Sequence, residues 1–384
     1  MSFHSDVIVI GLGAMGSATA YHLARRGQRV LGLDRFSPPH TMGSSHGQTR
    51  IIREAYFEHP SYVPIVQRAY VLWDELARAV NAPLLLPTGG LMIGAPDSIV
   101  FSGAKRSADT HRLPHEVLSA SEVRQRFPAL RPSDDMMAVL EPRAGILFPE
   151  RCIAAHLALA ARHGANLRTE EPVVRWIAAG DGVEVTTTKG VYRAGQMILS
   201  AGSWARKLLP DLDPPLTIER QVLFWFDPKS APTLFYAEHF PIHLWQVDAG
   251  EGVKFFYGFP DLGEGVKIAG HHQGAAVSPD SVSREVAPAE VDAMRGLLRR
   301  YLPQADGPLR SSTVCLYTNT PDEHFWIDRH PAHPQVIIAS PCSGHGFKFS
   351  SAIGEILGDM VTSGISQFDL SLFKNRFQPR NQAR

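Results

Sequence analysis

Runs of hydrophobic residues near the N-terminus predict two buried strands with a helix between them. Val7 to Ile10 is a continuous apolar run, and Arg29 to Leu33, which is apolar after its first residue, is a second strand-like stretch that ends at Asp34. Continuous apolar runs are typical of parallel strands that are covered on both faces. Between the runs, small and apolar residues at positions 18, 20, 23 and 24 recur at helical spacing up to Gly27.

The same kind of strand recurs in the middle and near the end of the chain. An alternating stretch from Val183 to Val191 leads to the apolar run 197–199 and a turn of small residues, and 336–339 is another apolar run. These patterns predict that the chain returns twice to its first sheet, with other segments inserted between. We therefore predict an α/β fold with an interleaved, Rossmann-type nucleotide-binding domain.

The inserted segments differ in pattern from the first sheet. Residues 220–322 contain aromatic, strand-like pieces such as 255–257, separated by Gly, Pro and Asp turns. A chain of 384 residues exceeds the size at which one core stops growing. We predict a nucleotide-binding domain of residues 1–84, 146–219 and 323–384, and an α+β substrate domain of residues 85–145 and 220–322 on a mixed or antiparallel sheet.

Composition and charge favour a small-molecule partner. Lys plus Arg equals Asp plus Glu at 38 each, so charge gives no reason to expect binding to nucleic acid or to an anionic membrane. The N-terminus lacks a basic region, and its apolar run is short and broken by glycine, which predicts a cytoplasmic protein. Cys152, Cys315 and Cys342 have no metal-type spacing, so we expect no metal site and no disulfide framework.

The turn after the first strand carries the pattern GxGxxG. Gly11, Gly13 and Gly16 permit a tight turn and a close approach of the backbone to a pyrophosphate at the helix N-terminus. Asp34, at the end of the second strand, is suited to bind ribose hydroxyls. The fingerprint alone leaves NAD and FAD open. The interleaved layout favours FAD, and a glutathione-reductase-like arrangement, by analogy.

A second glycine-rich turn, SGHGFK at 343–348, precedes an apolar helical pattern that begins at Ile353 and stops near Gly364. The free N–H groups at such a helix start favour an anion or an electron-rich ligand edge. We therefore expect backbone N–H groups of this turn to approach a flavin ring, with Lys348 reaching into a neighbouring carboxylate site.

Several stretches resemble the monomeric sarcosine oxidase and N-methyltryptophan oxidase family of FAD-dependent amine oxidases. They occur in the family's order between about residues 5 and 377: PPHTMGSSHGQTRIIREAY at 38–56, YVPIVQRAYVLWDEL at 62–76, FFYGFP at 255–260, VCLYTNTPDEHFWID at 314–328 and SGHGFKFSS at 343–351.

The resemblance implies FAD attached covalently through Cys315, which matches the family's C-x-Y-x-x-x-P-D-E pattern. Cys152 and Cys342 match no attachment pattern and are predicted to be core residues. Further residues predicted to bind the cofactor are Gly11, Gly13, Met15, Gly16, Asp34, Arg35, Ser44, Thr49, Arg50, Gly344, Gly346, Phe347 and Lys348.

The family's TRIIR pattern falls on residues 49–53. It implies that Arg50 stacks by the flavin and that Arg53 binds a substrate carboxylate together with Lys348. The three-residue spacing predicts that both guanidinium groups lie on nearly the same side of a helix or tight turn. Ser45 and Gln48 replace a histidine and an acid that the family commonly has, which alters the charge expected near the flavin.

The resemblance also implies residues of the catalytic site. Lys267 matches a lysine that promotes reaction of the reduced flavin with oxygen; its alternative is a strand lysine that faces solvent. His271 and Tyr257 match substrate-pocket residues, although His272 also fits that local alignment. His345, Tyr317 and Arg50 complete the predicted catalytic set.

The implied activity is oxidation of a secondary N-methyl amino acid such as sarcosine. O2 and water would be consumed, giving the primary amino acid, formaldehyde and hydrogen peroxide, and the family name implies a monomer. Alternatives with the same fold are an oxidase of cyclic or bulkier substrates, because the chain has an insertion around Leu244 to Gln246 relative to the family, and a dehydrogenase with another electron acceptor. A non-catalytic nucleotide-binding protein is the alternative from another class.

Overall fold

The structure is a computed structural model that describes residues 5–248, 253–340 and 343–374. The prediction for Cys342 falls on a residue outside these ranges. Three sheets and seven helices make up the regular structure of the described part. The helices are α1 (Ala14–Arg25), α2 (Val63–Val80), α3 (Ala104–His111), α4 (Ala120–Arg126), α5 (Pro149–Arg162), α6 (Pro288–Tyr301) and α7 (Ser350–Thr362).

The first sheet confirms the interleaved layout. Its parallel centre has the order β9-β2-β1-β12-β19, so strands from the beginning, middle and end of the chain lie side by side. β18 pairs antiparallel with β19, and the β10-β11-β12 meander flanks the centre. The strands are β1 (Ser5–Ile10), β2 (Val30–Leu33), β9 (Asn166–Arg168), β10 (Val173–Ala179), β11 (Gly182–Thr187), β12 (Val191–Leu199), β18 (Trp326–His330) and β19 (His333–Ser340).

The second sheet is mixed, as predicted. Its order is β17-β13-β16-β15-β14-β5-β7-β6, and every neighbouring pair is antiparallel except β14 with β5. The strands are β5 (Gly90–Gly94), β6 (Glu116–Ser119), β7 (Met137–Glu141), β13 (Thr217–Phe226), β14 (Ile242–Asp248), β15 (Val253–Phe259), β16 (Val266–His271) and β17 (Leu309–Asn319). The exact domain boundaries stay a prediction.

A small third sheet was not predicted. It joins β3 (Arg50–Ile52), β8 (Gly145–Leu147) and β4 (Leu85–Pro87) in antiparallel order. The helix or tight turn predicted for Arg50 to Arg53 is therefore wrong, because these residues form β3 and its end. Apolar Ile51 and Ile52 supply strand propensity, and pairing with β8 satisfies the backbone.

Helices cover the first sheet. α1, α5 and α7 pack together on one face, and a Cβ at Gly354 of α7 would lie 2.6 Å from the backbone of Ala18 in α1. Glycine at position 354 thus permits the close crossing. Cys152 is fully buried in α5, which confirms that it is a core residue. No helix within the described ranges is long and apolar enough to cross a membrane.

Candidate active site and cofactor cavity

A long cleft, with about 1500 Å³ of empty space that is partly open to solvent, lies beyond the carboxyl ends of the parallel strands. In a sheet of this type, that edge is where nucleotides bind. The cleft brings together most of the predicted cofactor residues: Gly11, Gly13, Met15, Asp34, Arg35, Ser44, Arg50, Gly344, Gly346 and Phe347.

The start of α1 is built to receive an anion. Gly13 is the N-cap, no side chain caps the helix, and the first turn contains no acidic residue. A Cβ at Gly13 would meet no atom within 4 Å, whereas a Cβ at Gly16 would collide with the backbone of Gly11. Gly13 therefore leaves room for a ligand, and Gly16 permits the tight turn. This end of the cleft fits a dinucleotide pyrophosphate.

Asp34 is buried in the wall of the cleft at the end of β2. Its carboxylate accepts hydrogen bonds from the backbone N–H of Leu12 at 2.7 Å and of Phe36 at 2.8 Å. Burial raises the pKa of Asp34 despite these bonds. The two bonds fix the carboxylate at the cleft, where it has further lone pairs for ribose hydroxyls.

A smaller cavity, with about 520 Å³ of empty space, adjoins the cleft. Arg50, Tyr317, Gly344 and Phe347 line both spaces, so the two cavities are separated only by these shared residues. The other residues of the small cavity are Ile51, Arg53, Glu58, Leu244, Tyr257, Phe259, His271, His345 and Lys348. All the residues predicted to bind the substrate thus come together here.

Arg53 is a fully buried cation in the small cavity. Its Nη2 donates to both carboxylate oxygens of Glu58, at 2.7 and 2.8 Å, and its Cζ lies 4.2 Å from the ring centroids of Tyr56 and of Phe57. Burial alone would raise the pKa of Glu58, but the charge of Arg53 lowers it below its usual value. Glu141 accepts hydrogen bonds from the backbone that follows Arg53 and holds this segment in place.

Lys348 lies close to Arg53, in the 3₁₀ turn Phe347–Phe349 that precedes α7. Its Nζ donates to the His345 carbonyl at 2.8 Å and contacts the Tyr56 hydroxyl at 3.4 Å. Burial, followed by the charge of Arg53, lowers the pKa of Lys348 to about 7. Together with Arg50, Arg53 and Lys348 give the cavity three cationic side chains, whereas Glu58 is the single carboxylate among its lining residues.

The opposite wall comes from the second sheet. Tyr257 and His271 extend from the neighbouring strands β15 and β16, and His271 Nδ1 lies 3.2 Å from the Tyr317 hydroxyl. Burial and the adjacent His272 lower the pKa of His271 well below its usual value. Burial also raises the pKa of both tyrosines. This wall is therefore uncharged, with a neutral imidazole and protonated phenols.

His345 completes the turn predicted to approach the flavin. Its Nδ1 lies 2.5 Å from the Tyr56 hydroxyl and its Nε2 lies 2.8 Å from the Glu323 carbonyl. Because both ring nitrogens have protein partners, the ring is fixed in orientation. Gly344 beside it has φ +75°, and a Cβ there would collide with Tyr317, so only glycine fits.

Cys315 lies directly behind the wall of the cleft, on β17. It is buried, its Sγ is 3.5 Å from Arg50 Nη2 and 3.5 Å from the Ser44 carbonyl, and both of these residues line the cleft. Arg50 also donates to the Ser44 and Thr49 carbonyls. The thiol therefore has a fixed cation between itself and the small cavity.

Lys267 is buried on β16, so the solvent-facing alternative is wrong. Its Nζ donates to the carbonyls of Gly47 at 2.6 Å and Thr49 at 3.0 Å, and to the Thr49 hydroxyl at 2.9 Å. Burial, and then Arg50, lower its pKa well below the usual value. Three acceptors match the three protons of an ammonium group, and we conclude that Lys267 is hydrogen-bonded as a cation.

The sequence reasoning missed three residues of this site. Glu58 and Tyr56 surround Arg53, and Glu150 accepts hydrogen bonds from the N–H groups of Gly47 and Gln48. An acid five residues after Arg53 was a signal that could have identified Glu58. Nothing local indicated Glu150, which starts a helix about a hundred residues away.

The two departures from the family pattern lie at the edge of the site. Gln48 has a left-handed backbone with φ +69° and an exposed side chain, and Ser45 is half-buried. Neither contributes a charge beside Lys267, and the N–H of Gln48 is bound by Glu150.

One group in the described ranges has side chains that suit a metal: Asp211, His330 and His333. None of them lines either cavity. His330 Nδ1 accepts a hydrogen bond from the Ala332 N–H at 3.3 Å, so the ring proton is on Nε2, which lies 3.1 Å from Asp211. The imidazole is therefore neutral, in keeping with burial, which lowers the pKa of His330, and its contact with Asp211 joins a neutral ring to a carboxylate.

The fold and the cleft define an FAD-dependent oxidoreductase, and a model of the FAD dependent oxidoreductase (DAO) family matches residues 6–360. Within it, the chain belongs to the monomeric sarcosine oxidase and N-methyltryptophan oxidase family of amine oxidases. It is 48% identical to a monomeric sarcosine oxidase of Streptomyces avermitilis over 98% of both chains, and 42% identical to one of a Bacillus species over 97% of both. It is 35% identical to an N-methyl-L-tryptophan oxidase of Salmonella newport, over 96% of this chain and 98% of that one.

Solved structures share the fold. NikD, an unusual amino acid oxidase essential for nikkomycin biosynthesis, has a TM-score of 0.85 and 25% identity, with 98% of each chain covered. L-proline dehydrogenase from P. horikoshii has a TM-score of 0.82 and 20% identity, covering 97% of this chain and 96% of that one. The predicted fold class is thus confirmed.

Proposed function

We propose that the enzyme oxidatively demethylates a small secondary N-methyl amino acid such as sarcosine, using O2 and water and giving the primary amino acid, formaldehyde and hydrogen peroxide. The observation that carries this proposal is the small cavity, which is lined by Arg53 and Lys348 together with His271 and Tyr257 and shares a wall with the cofactor cleft. The names of the relatives support the same substrate class.

The two cations would bind the substrate carboxylate. A guanidinium and an ammonium in a buried site suit one carboxylate. Glu58 occupies Arg53 in the free site, so the substrate carboxylate would take its place on the guanidinium. This exchange keeps the buried cation paired both before and after binding, which limits the cost of desolvation.

The amine would lie against the uncharged wall of His271, Tyr257 and Tyr317. No buried carboxylate other than Glu58 lines the cavity, and the nearby cations favour loss of the ammonium proton. The residues therefore select the neutral amine without a dedicated base, and His271 orients it. FAD, when bound, accepts the two electrons and passes them to O2.

Covalent attachment of FAD through Cys315 is part of the proposal. The thiol's position against Ser44 and Arg50, both at the cleft, supports it. Purified protein should keep its yellow flavin absorbance with the polypeptide after denaturation in acid or SDS. Cys315→Ala should release the flavin, whereas Cys152→Ala, a matched buried thiol in α5, should not.

Lys267 would promote the reaction of the reduced cofactor with oxygen. A buried ammonium stabilises the superoxide anion that forms when an electron is transferred to O2. With all three of its protons bound by Gly47 and Thr49, Lys267 would act through its charge. We further propose that the enzyme is a cytoplasmic monomer.

A bulkier substrate is the alternative, because Leu244, which belongs to the insertion at residues 244–246, lines the small cavity and so affects its size. A panel of sarcosine, proline, pipecolate and N-methyltryptophan with detection of hydrogen peroxide tests the proposal. The highest kcat/KM for sarcosine would support it, and a higher value for a cyclic or bulky substrate would favour this alternative. Substrate turnover without hydrogen peroxide would favour a dehydrogenase.

A further inference from the structure

His272 is a second histidine behind the wall of the small cavity. Its ring centroid lies 4.1 Å from that of His271 and 5.5 Å from that of Tyr317. It lines neither cavity, and its backbone has the left-handed φ of +54°, which is uncommon for a residue other than glycine. The fold therefore places this side chain at a small conformational cost, directly behind a residue of the substrate wall.

An acid on the neighbouring sheet strand β13 faces His272. Glu219 is buried, and its Oε2 lies 3.4 Å from His272 Nδ1. Three further donors hold the Glu219 carboxylate: the side chains of Gln221 at 2.5 Å and Asn319 at 2.7 Å, and the N–H of Gly274 at 2.6 Å. A carboxylate with this many donors is ionised and fixed in place.

The other ring nitrogen of His272 faces the opposite side of the pocket. Nε2 lies 3.8 Å from a carboxylate oxygen of Glu323, whose carbonyl accepts the hydrogen bond from His345. Glu323 has φ +60° and a largely exposed side chain, so its ion pair is the weaker of the two. The imidazole of His272 therefore contacts the ring of His271, Glu219 on β13 and, at 3.8 Å, the carboxylate of Glu323, whose carbonyl binds His345.

These charges favour the protonated form of His272. Burial alone would lower the pKa of His272, but Glu219 and then Glu323 raise it above its usual value. Although burial alone would raise the pKa of Glu219, His272 and the Gly274 N–H lower it. The groups facing His271 are His272, His345, Lys348 and Arg53, and together with burial they lower its pKa.

We propose that His272 is a positioning residue: as an imidazolium held by Glu219, it fixes the neutral His271 against Tyr317 and ties this wall of the pocket, through Glu323, to the turn that carries His345. This inference rests on the proposed assignment of the small cavity to the substrate. The inference adds a pH dependence, because the ion pairs of His272 with Glu219 and Glu323 are present below the pKa of His272 and are lost as pH rises through that pKa.

The charge states can be measured without turnover. NMR titration of the holoenzyme with labelled histidines should give a pKa above 6.5 for His272, the usual value for histidine. His271 should stay neutral across the same range, and Glu219→Gln should lower the His272 pKa. Signals are assigned with His271→Asn and His272→Asn. A His272 pKa at or below 6.5, or one that Glu219→Gln leaves unchanged, overturns the inference.

Kinetics test the positioning role. His272→Asn keeps a residue that tolerates positive φ and removes the charge. Below the His272 pKa, this substitution should raise KM about fivefold with little change in kcat. Above that pKa, the KM values of the variant and the wild type should converge. His239→Asn, an exposed histidine, is the control. An equal effect at all pH values would mean a structural role only and would overturn the inference. If no secondary amino acid is oxidised, the proposed function fails, while the titration still decides the state of His272.

Discussion

Arg53 and Glu58 form a buried two-point ion pair inside the small cavity, with Arg53 Nη2 2.7 and 2.8 Å from the carboxylate oxygens. The acid occupies the guanidinium that a substrate carboxylate needs. Under the proposed function, the substrate carboxylate would displace Glu58 from Nη2, and the affinity of the site would depend on how strongly Glu58 competes.

Removing the competing charge should strengthen binding. In Glu58→Gln, Arg53 has no anionic partner, so we expect a short carboxylate without an amine, such as butyrate, to bind about tenfold more tightly. Unliganded protein should unfold at a lower temperature, because a buried charge is left unpaired. Calorimetric titration and thermal melts measure both. Glu54→Gln, which removes a buried acid paired with Arg143 away from the cavity, should not tighten binding.

The pKa of Lys348, about 7, makes carboxylate binding dependent on pH. A lowered lysine pKa means that the ammonium is present below about 7 and is lost above it, so affinity for butyrate should fall as pH rises from about 6 to 8. The measurement is made in the His272→Asn variant, so that the titration of Lys348 is observed without that of His272. Lys348→Met in that background should bind weakly and without a step. A step that persists in Lys348→Met would assign the titration to another group.

Loss of the Lys267 charge should affect oxygen more than the amine substrate. Lys267→Met should slow reoxidation of the reduced enzyme by at least about a hundredfold, while reduction by substrate changes by less than about tenfold. Stopped-flow absorbance follows the two half-reactions separately. Lys254→Met, on the neighbouring strand β15 and outside both cavities, is the control. Similar losses in both half-reactions would remove Lys267 from the oxygen step.

Glycine at position 13 should be required for FAD binding but not for folding. A Cβ there meets no protein atom within 4 Å, so Gly13→Ala apoprotein should melt near the wild-type temperature but bind FAD about tenfold or more weakly. The ratio of flavin to protein after purification reports the loss. Gly296→Ala in α6 also adds a methyl group in open space, and it should leave FAD content unchanged while stabilising the helix by about 1 kcal/mol. Full FAD content in Gly13→Ala would contradict the pyrophosphate assignment.

The sequence predicted the parts of the fold that local patterns encode. Continuous apolar runs identified β1, β2, β12 and β19, and the glycine spacing identified the turn into α1. The interleaved layout followed from the same pattern, because apolar runs from the beginning, middle and end of the chain were all predicted to be buried strands of one sheet. β2 begins at Val30 rather than Arg29, since the charged side chain belongs to the ion pair with Asp6.

Long-range pairing explains what the sequence did not predict. Residues 50–52 form a strand only because β8, about a hundred residues later, supplies its partner. Glu150 and Glu219 resemble surface acids in the sequence, yet the fold turns them toward Gly47 and His272. Local periodicity carries no information about such contacts, whereas the family resemblance identified Arg53, Lys348 and His271 from their motifs.

The order of strands in the first sheet also determines when the cofactor can be captured during biogenesis. β1 leaves the ribosome first, but its neighbour β12 ends at Leu199 and the next strand, β19, ends at Ser340. The cleft is not complete until Phe347 has been made. Until then, apolar strand edges are exposed to chaperones and to aggregation. The cofactor cleft is therefore available only to a nearly complete polypeptide.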